Sequence, residues 1–199
     1  LNNLYRQTQM QAVFGVNIVA LVDGQPKTLN LRELLDCFLK HRREIVTRRS
    51  LFELKKARKR AHTLEGLAVA LANIDEVVEL IKASKTPQEA REKLIGTLWV
   101  PSRTVEKMIE DVRSVQGRQI EIASQLTEEG YRLSEGQAKD ILEMRLQRLT
   151  GLEQDRILKE YGDVNSRIVQ LLEILENPDT LMKLIRSELL EVKENFGDI

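Results

Sequence analysis

The 199 residues carry 31 Lys or Arg against 31 Asp or Glu, for zero formal net charge, with 4% aromatic residues and one cysteine. A neutral total excludes a polyanion binder that works by bulk charge, and the lone Cys37 excludes an internal disulfide framework and fits a reducing, intracellular setting. No apolar run approaches the ~20 residues that span a bilayer and no signal peptide is visible, so no membrane partner is expected. High charge with 10 Gly and 4 Pro is instead the profile of long helices. The chain starts at Leu1 inside sequence that reads as structured, and we expect it to be a piece of a longer protein.

The opening 1–11 is polar and helix-compatible. Alternation of Val16, Ile18 and Ala20, then the turn signal Asp23-Gly24-Gln25-Pro26, predicts a short β-hairpin foot. Asn30 with Glu33 is a capping box that opens a helical stretch with no proline before Pro87. Leu31, Phe38, Ile45 and Phe52 are spaced by sevens, as are Leu64, Leu71 and Val78 after a phase shift. One helix over 31–82 would be roughly 75 to 80 Å long at 1.5 Å per residue.

Thr86-Pro87-Gln88-Glu89 starts a new short helix with a capping hydroxyl and a proline in the first turn. Gly96, Pro101, Gly117 and Gly130 break the pattern that follows, which predicts short helices and loops in a compact head. Ser134 with Gln137 caps a further helix carrying Ala138, Ile141, Leu142, Leu146 and Leu149, and Thr150 with Glu153 caps the next. That last helix has the cleanest seam: Ile157, Tyr161, Val164, Ile168, Leu171 and Leu175 step by threes and fours. Asn177-Pro178 interrupts it, and Met182, Ile185, Leu189, Val192 and Phe196 resume it. Two seams flanking a head require the chain to go out and return, so the helices should pair antiparallel. Charge agrees: residues 40–60 hold ten Lys or Arg against two acids, net +8, and residues 171–199 hold seven acids against three bases, net −4.

The stretches LNNLYRQTQMQAVFGVNIVALVDGQPKTLNL, HRREIVTRRSLFELKKARKRAHTLEGLAVALANIDEVVELI and EGQAKDILEMRLQRLTGLE closely resemble the A-subunit family of bacterial DNA gyrase, with topoisomerase IV as its near relative. The wording of Phe14-Gly15-Val16-Asn17 and Thr150-Gly151-Leu152-Glu153 leans toward gyrase. The resemblance implies a mainly α fold: a long antiparallel two-helix coiled coil, a small helical globular head and a short β-hairpin-like foot. It divides the chain into a foot at the end of the tower region (1–29), an outgoing long helix (30–85), a helical head (86–150) and returning coiled-coil helices (151–199). It further implies that two heads meet as the exit gate, or C-gate, of a type IIA topoisomerase that introduces negative supercoils by double-strand passage. The intact protein would be an ATP-hydrolysing isomerase in the bacterial cytoplasm, associated with the nucleoid. Its implied partners are a second copy of itself, the second gyrase polypeptide (GyrB-type, the ATPase) and double-stranded DNA. ATP and Mg²⁺ would enter through that partner, with no cofactor in this chain. Topoisomerase IV, or a DNA-binding arm acting through the 40–60 patch, are the alternatives, and a plain coiled-coil spacer is a third.

Candidate residues follow. Gln137, Ile141, Met144 and Arg145 are the dimer-interface candidates on the head helix, with core packing as the competing role. Arg42, Arg43, Arg48 and Arg49 are the DNA-backbone candidates, against pairing of the basic run with the acidic return helix. No catalytic residue is expected: Tyr5 and Tyr131 precede an arginine where the family's nucleophile follows one, and Tyr161 sits on the seam. His41, His62 and Cys37 lack ligand spacing, so no metal site is expected, and no phosphate-cradling glycine loop is present.

Overall fold

The computed structural model describes residues 2–10, 12–13, 15–103, 105–106, 126–127, 130–144 and 151–197. The chain is mainly helical and divides into two units, 1–46 with 185–199, and 47–184.

The first unit contains α1 (Asn2–Gln7), the hairpin β1 (Ile18–Val22) and β2 (Gln25–Leu29), the start of α2 (Leu31–Ala72) and the end of the terminal helix (Pro178–Phe196). The hairpin closes through Asp23 and Gly24 alone, at φ 53° and 79°. Positive φ at both central residues is the two-residue turn whose twist suits antiparallel strands, and it is why Asp-Gly stands there. Gln25 therefore already pairs with Val22, and Pro26 with Leu21, on an edge that needs no donor from proline. The capping box opens α2 as expected: Glu33 N donates to Asn30 Oδ1 at 2.9 Å and Asn30 N donates to Glu33 Oε2 at 2.9 Å. Arg42 donates to Glu188 Oε2 at 2.6 Å, tying α2 to the terminal helix.

The second unit holds the rest of α2, then α3 (Ile74–Lys82), α4 (Pro87–Gly96), β3 (Leu98–Trp99), β4 (Leu126–Thr127), β5 (Gly130–Arg132), α5 (Glu135–Leu142), α6 (Gly151–Glu176) and the start of α7 (Pro178–Phe196). Glu53 meets Arg167 at 2.7 Å and Arg60 meets Glu160 at 2.6 Å, so α6 runs antiparallel to α2. Ile157, Tyr161, Ile168 and Leu171 are buried at the expected seam positions, in one core with Leu54, Ala61, Leu64, Ala68 and Leu71 of α2.

Three expectations are corrected. The run of sevens at the start of α2 is not its buried face: Phe38 is 45% and Phe52 69% exposed, whereas the polar Ser50 is 2% exposed. Two residues along a helix turn the side chain by ~200°, so a face that buries Ser50 and Leu54 must expose Phe52. Nor does one helix run over 31–82. It stops at Ala72, after 42 residues or about 63 Å, and Asn73 leaves the helical region at φ −120°, ψ 36° before α3 begins. The Asn73 amide donates to Val69 O and Val100 O, both at 2.9 Å, so a partner 27 residues away holds the break. The head, finally, is not purely helical. It contains a three-stranded antiparallel sheet, ordered β3-β5-β4, whose strands are too short to show a period in sequence. Trp99, Tyr131 and Leu133 of this region are buried, and Trp99 Nε1 donates to Leu94 O at 2.9 Å.

Candidate functional site

Two surfaces of the second unit carry chemistry beyond the core. One lies between α3 and α5. Ile74, Val77, Val78 and Ile81 recur at the spacing that puts them on one helix face, and Ile141, Leu142 and Met144 face them, with Lys82 at the rim. Together they line an apolar cavity of about 250 Å³. Val77 and Ile141 form its floor, at 1% and 4% exposure, while Ile74, Val78, Ile81, Leu142 and Met144 remain part-exposed at its mouth.

Helix α5 is fixed against α2 by a polar knot. Gln137 N donates to Ser134 Oγ at 3.2 Å and Ser134 N donates to Gln137 Oε1 at 2.9 Å, the expected capping box. Gln137 Nε2 donates to His62 O at 2.6 Å and to Tyr131 Oη at 2.8 Å. Since Ser134 N can only donate and His62 O can only accept, the Gln137 amide has one orientation. His62 Nδ1 faces the same amide nitrogen at 3.4 Å, and so must accept. Its Nε2 then carries the hydrogen toward Ser134 Oγ at 2.9 Å. Burial lowers the His62 pKa below its ordinary value, opposed by the charge of Asp140, which itself accepts from Thr63 Oγ1 at 2.9 Å. Gly66 permits this docking, because a Cβ there would stand 2.6 Å from Gln137 Cγ.

The interface candidates therefore divide. Gln137 is 1% exposed with its amide engaged inside the head, and Ile141 is core, so the structure places neither on the monomer surface. Both were expected as contact residues; their capping and packing duties draw them inward. Met144 stands at the mouth of the groove, and Arg145 lies outside the described residues, as do Leu146, Leu149 and Thr150. The α3 residues were missed as interface candidates, although the 74, 77, 78, 81 spacing was a usable signal.

The second surface is the basic run of α2. Among the DNA-backbone candidates, Arg42 is paired with Glu188, and Arg49 lies 4.0 Å from Glu53. Arg43 and Arg48 are exposed. Further along, Arg60 is paired with Glu160, whereas Lys55, Lys56 and Lys59 point to solvent. Pairing with the return helices thus takes up part of the basic run and leaves another part. Tyr131 and Tyr161 are both 1% exposed, with Tyr161 Oη donating to Glu65 Oε1 at 2.7 Å, which places both in packing roles.

A family model for the A subunit of DNA gyrase and topoisomerase IV matches residues 1–190. The chain belongs to this family. It is 56% identical over 200 residues to the DNA gyrase A subunit of Pseudomonas aeruginosa, 51% over 201 residues to that of Aeromonas salmonicida and 46% over 202 residues to that of Neisseria gonorrhoeae. Each match covers 100% of this chain and 22% of the relative, so the chain spans about a fifth of the length of these curated relatives. As a region of a gyrase/topoisomerase IV A-type chain, it contains a helix pair, a small mixed α/β head and a hairpin foot. Among the described residues no helix is long and apolar enough to cross a membrane.

Proposed function

We propose that this chain is the exit-gate arm of the larger DNA gyrase polypeptide, with two copies meeting through the groove between α3 and α5. The observation that carries this is the groove itself, on a chain of this family. Five part-exposed apolar side chains surround about 250 Å³, below the ~300 to 1,000 Å³ usual for small-molecule pockets. Side chains of a second copy fit that space, and a twofold axis lets one apolar patch serve both partners. A gate that must open and reseal calls for such a modest patch in place of an obligate interface of several thousand Å².

The intact protein, on this reading, is a type IIA topoisomerase of the bacterial cytoplasm and nucleoid, acting on double-stranded DNA together with the second, ATPase-bearing gyrase polypeptide. ATP and Mg²⁺ enter through that partner, and the nucleophilic tyrosine lies outside this chain, which is catalytically silent alone. The relatives compared carry the gyrase name, which favours gyrase over topoisomerase IV.

Sedimentation equilibrium of the chain over a wide concentration range tests the gate. The expected result is a reversible dimer that Met144→Asp converts to monomer, because a carboxylate in an apolar interface is desolvated without a partner. A wild-type monomer at every concentration, or a dimer indifferent to both Met144→Asp and Val78→Asp, refutes it.

A further inference from the structure

The ten cations of residues 40–60 are not used alike. Arg42, Arg49 and Arg60 face carboxylates within 4.0 Å. Arg48, Lys55, Lys56 and Lys59 are exposed, and none of them enters an ion pair among the described residues. Helix geometry places three of these together. Steps of seven and eleven residues from Arg48 return to within ~20° of its own direction, so Arg48, Lys55 and Lys59 form one stripe about 16 Å long, with Lys56 at its edge. No carboxylate interrupts the stripe between residues 48 and 59, since Glu53 turns to Arg49 and Arg167. Like charges at a spacing of four on a helix are mildly destabilising, so the stripe adds nothing to the fold.

We infer that Arg48, Lys55, Lys56 and Lys59 form a contact surface for the phosphate backbone of double-stranded DNA. A straight, rigid row of cations fits a straight, rigid polyanion, and duplex DNA presents a charge about every 1.7 Å of its axis, so several phosphates always face the stripe. No side chain in the row is arranged to read base edges, so the contact holds any sequence. The surface lies within α2 of the second unit and is separate from the α3–α5 groove. Choosing duplex DNA among polyanions rests on the family reading; the position of the stripe does not.

The test is fluorescence anisotropy of a labelled 30-base-pair duplex with the 199-residue chain at several salt concentrations. Circular dichroism checks that each variant keeps its helices. Wild type should bind with a steep inverse dependence on salt. The triple variant Arg48→Gln, Lys55→Gln, Lys59→Gln should reduce the log–log slope by about 3, roughly 0.9 per lost phosphate contact, and weaken affinity at least tenfold at ~50 mM salt. A charge-matched control, Lys27→Gln, Lys139→Gln, Lys183→Gln, should keep the slope. Absence of salt-dependent binding by wild type, or equal weakening by the control, overturns the stripe. Equal competition by flexible polyphosphate at matched charge overturns the assignment to a duplex. Loss of the dimer in Met144→Asp with the slope intact, or the reverse, separates failure of the gate from failure of the stripe.

Discussion

At the scale of single residues, His62 joins the largest number of constraints. Its ring links Ser134 and Gln137, it sits under α5, and burial holds it neutral against the pull of Asp140. Protonation would put a hydrogen on Nδ1, facing the Gln137 amide hydrogens donor to donor. The folded pKa lies below the unfolded value of ~6.5, so the unfolded chain binds protons first as pH falls. Stability is therefore full above about pH 6.5 and declines as the solution is acidified through and below it. Urea midpoints measured from pH 7.5 to 5 should fall for wild type and lie flatter for His62→Gln; parallel profiles would remove His62 as the cause. The capping role of Ser134 and Gln137 was legible in sequence because a cap is a local code spanning three residues. The burial of Gln137 was not, since it depends on His62 and Gly66, some 70 residues earlier in the chain.

At the scale of elements, the caps at Asn30, Thr86 and Ser134 stand where the residue types place them, and so does the seam of α6. The seam of α2 does not follow its apolar spacing between 31 and 52 because its chemistry is inverted there: a serine faces the core and two phenylalanines face out. Counting apolar residues cannot recover a phase that a buried serine carries. The difference is measurable. Ile168→Ala and Leu171→Ala should each lower unfolding free energy by about 2 to 5 kcal/mol, while Phe52→Ala should stay within about 0.5 kcal/mol of wild type. A large loss for Phe52→Ala in chemical denaturation would restore the run of sevens as the packed face. The break at Asn73 is hidden from sequence for a related reason, since it is held by a carbonyl contributed from beyond α4.

At the scale of the whole molecule, stability is unevenly distributed. Every residue of the large buried cluster belongs to the unit 47–184, whereas the other unit contributes Val46 and Ile185 and carries fourteen of the eighteen exposed large hydrophobics. Hydrogen exchange should therefore find the amides of β1 and β2 exchanging orders of magnitude faster than those of 61–71 in α2. Equal protection would mean that the hairpin is held by more than its own ladder. The two ion pairs between α2 and α6 have a further effect at this scale. A repeat of threes and fours permits the helices to slide by seven residues with their apolar faces still matched. In the observed alignment Glu53 meets Arg167 and Arg60 meets Glu160. Sliding by seven one way brings Glu53 opposite Glu160; sliding by seven the other way brings Arg60 opposite Arg167. The four charges work as a latch with one seat, repelling a step in either direction from where they attract.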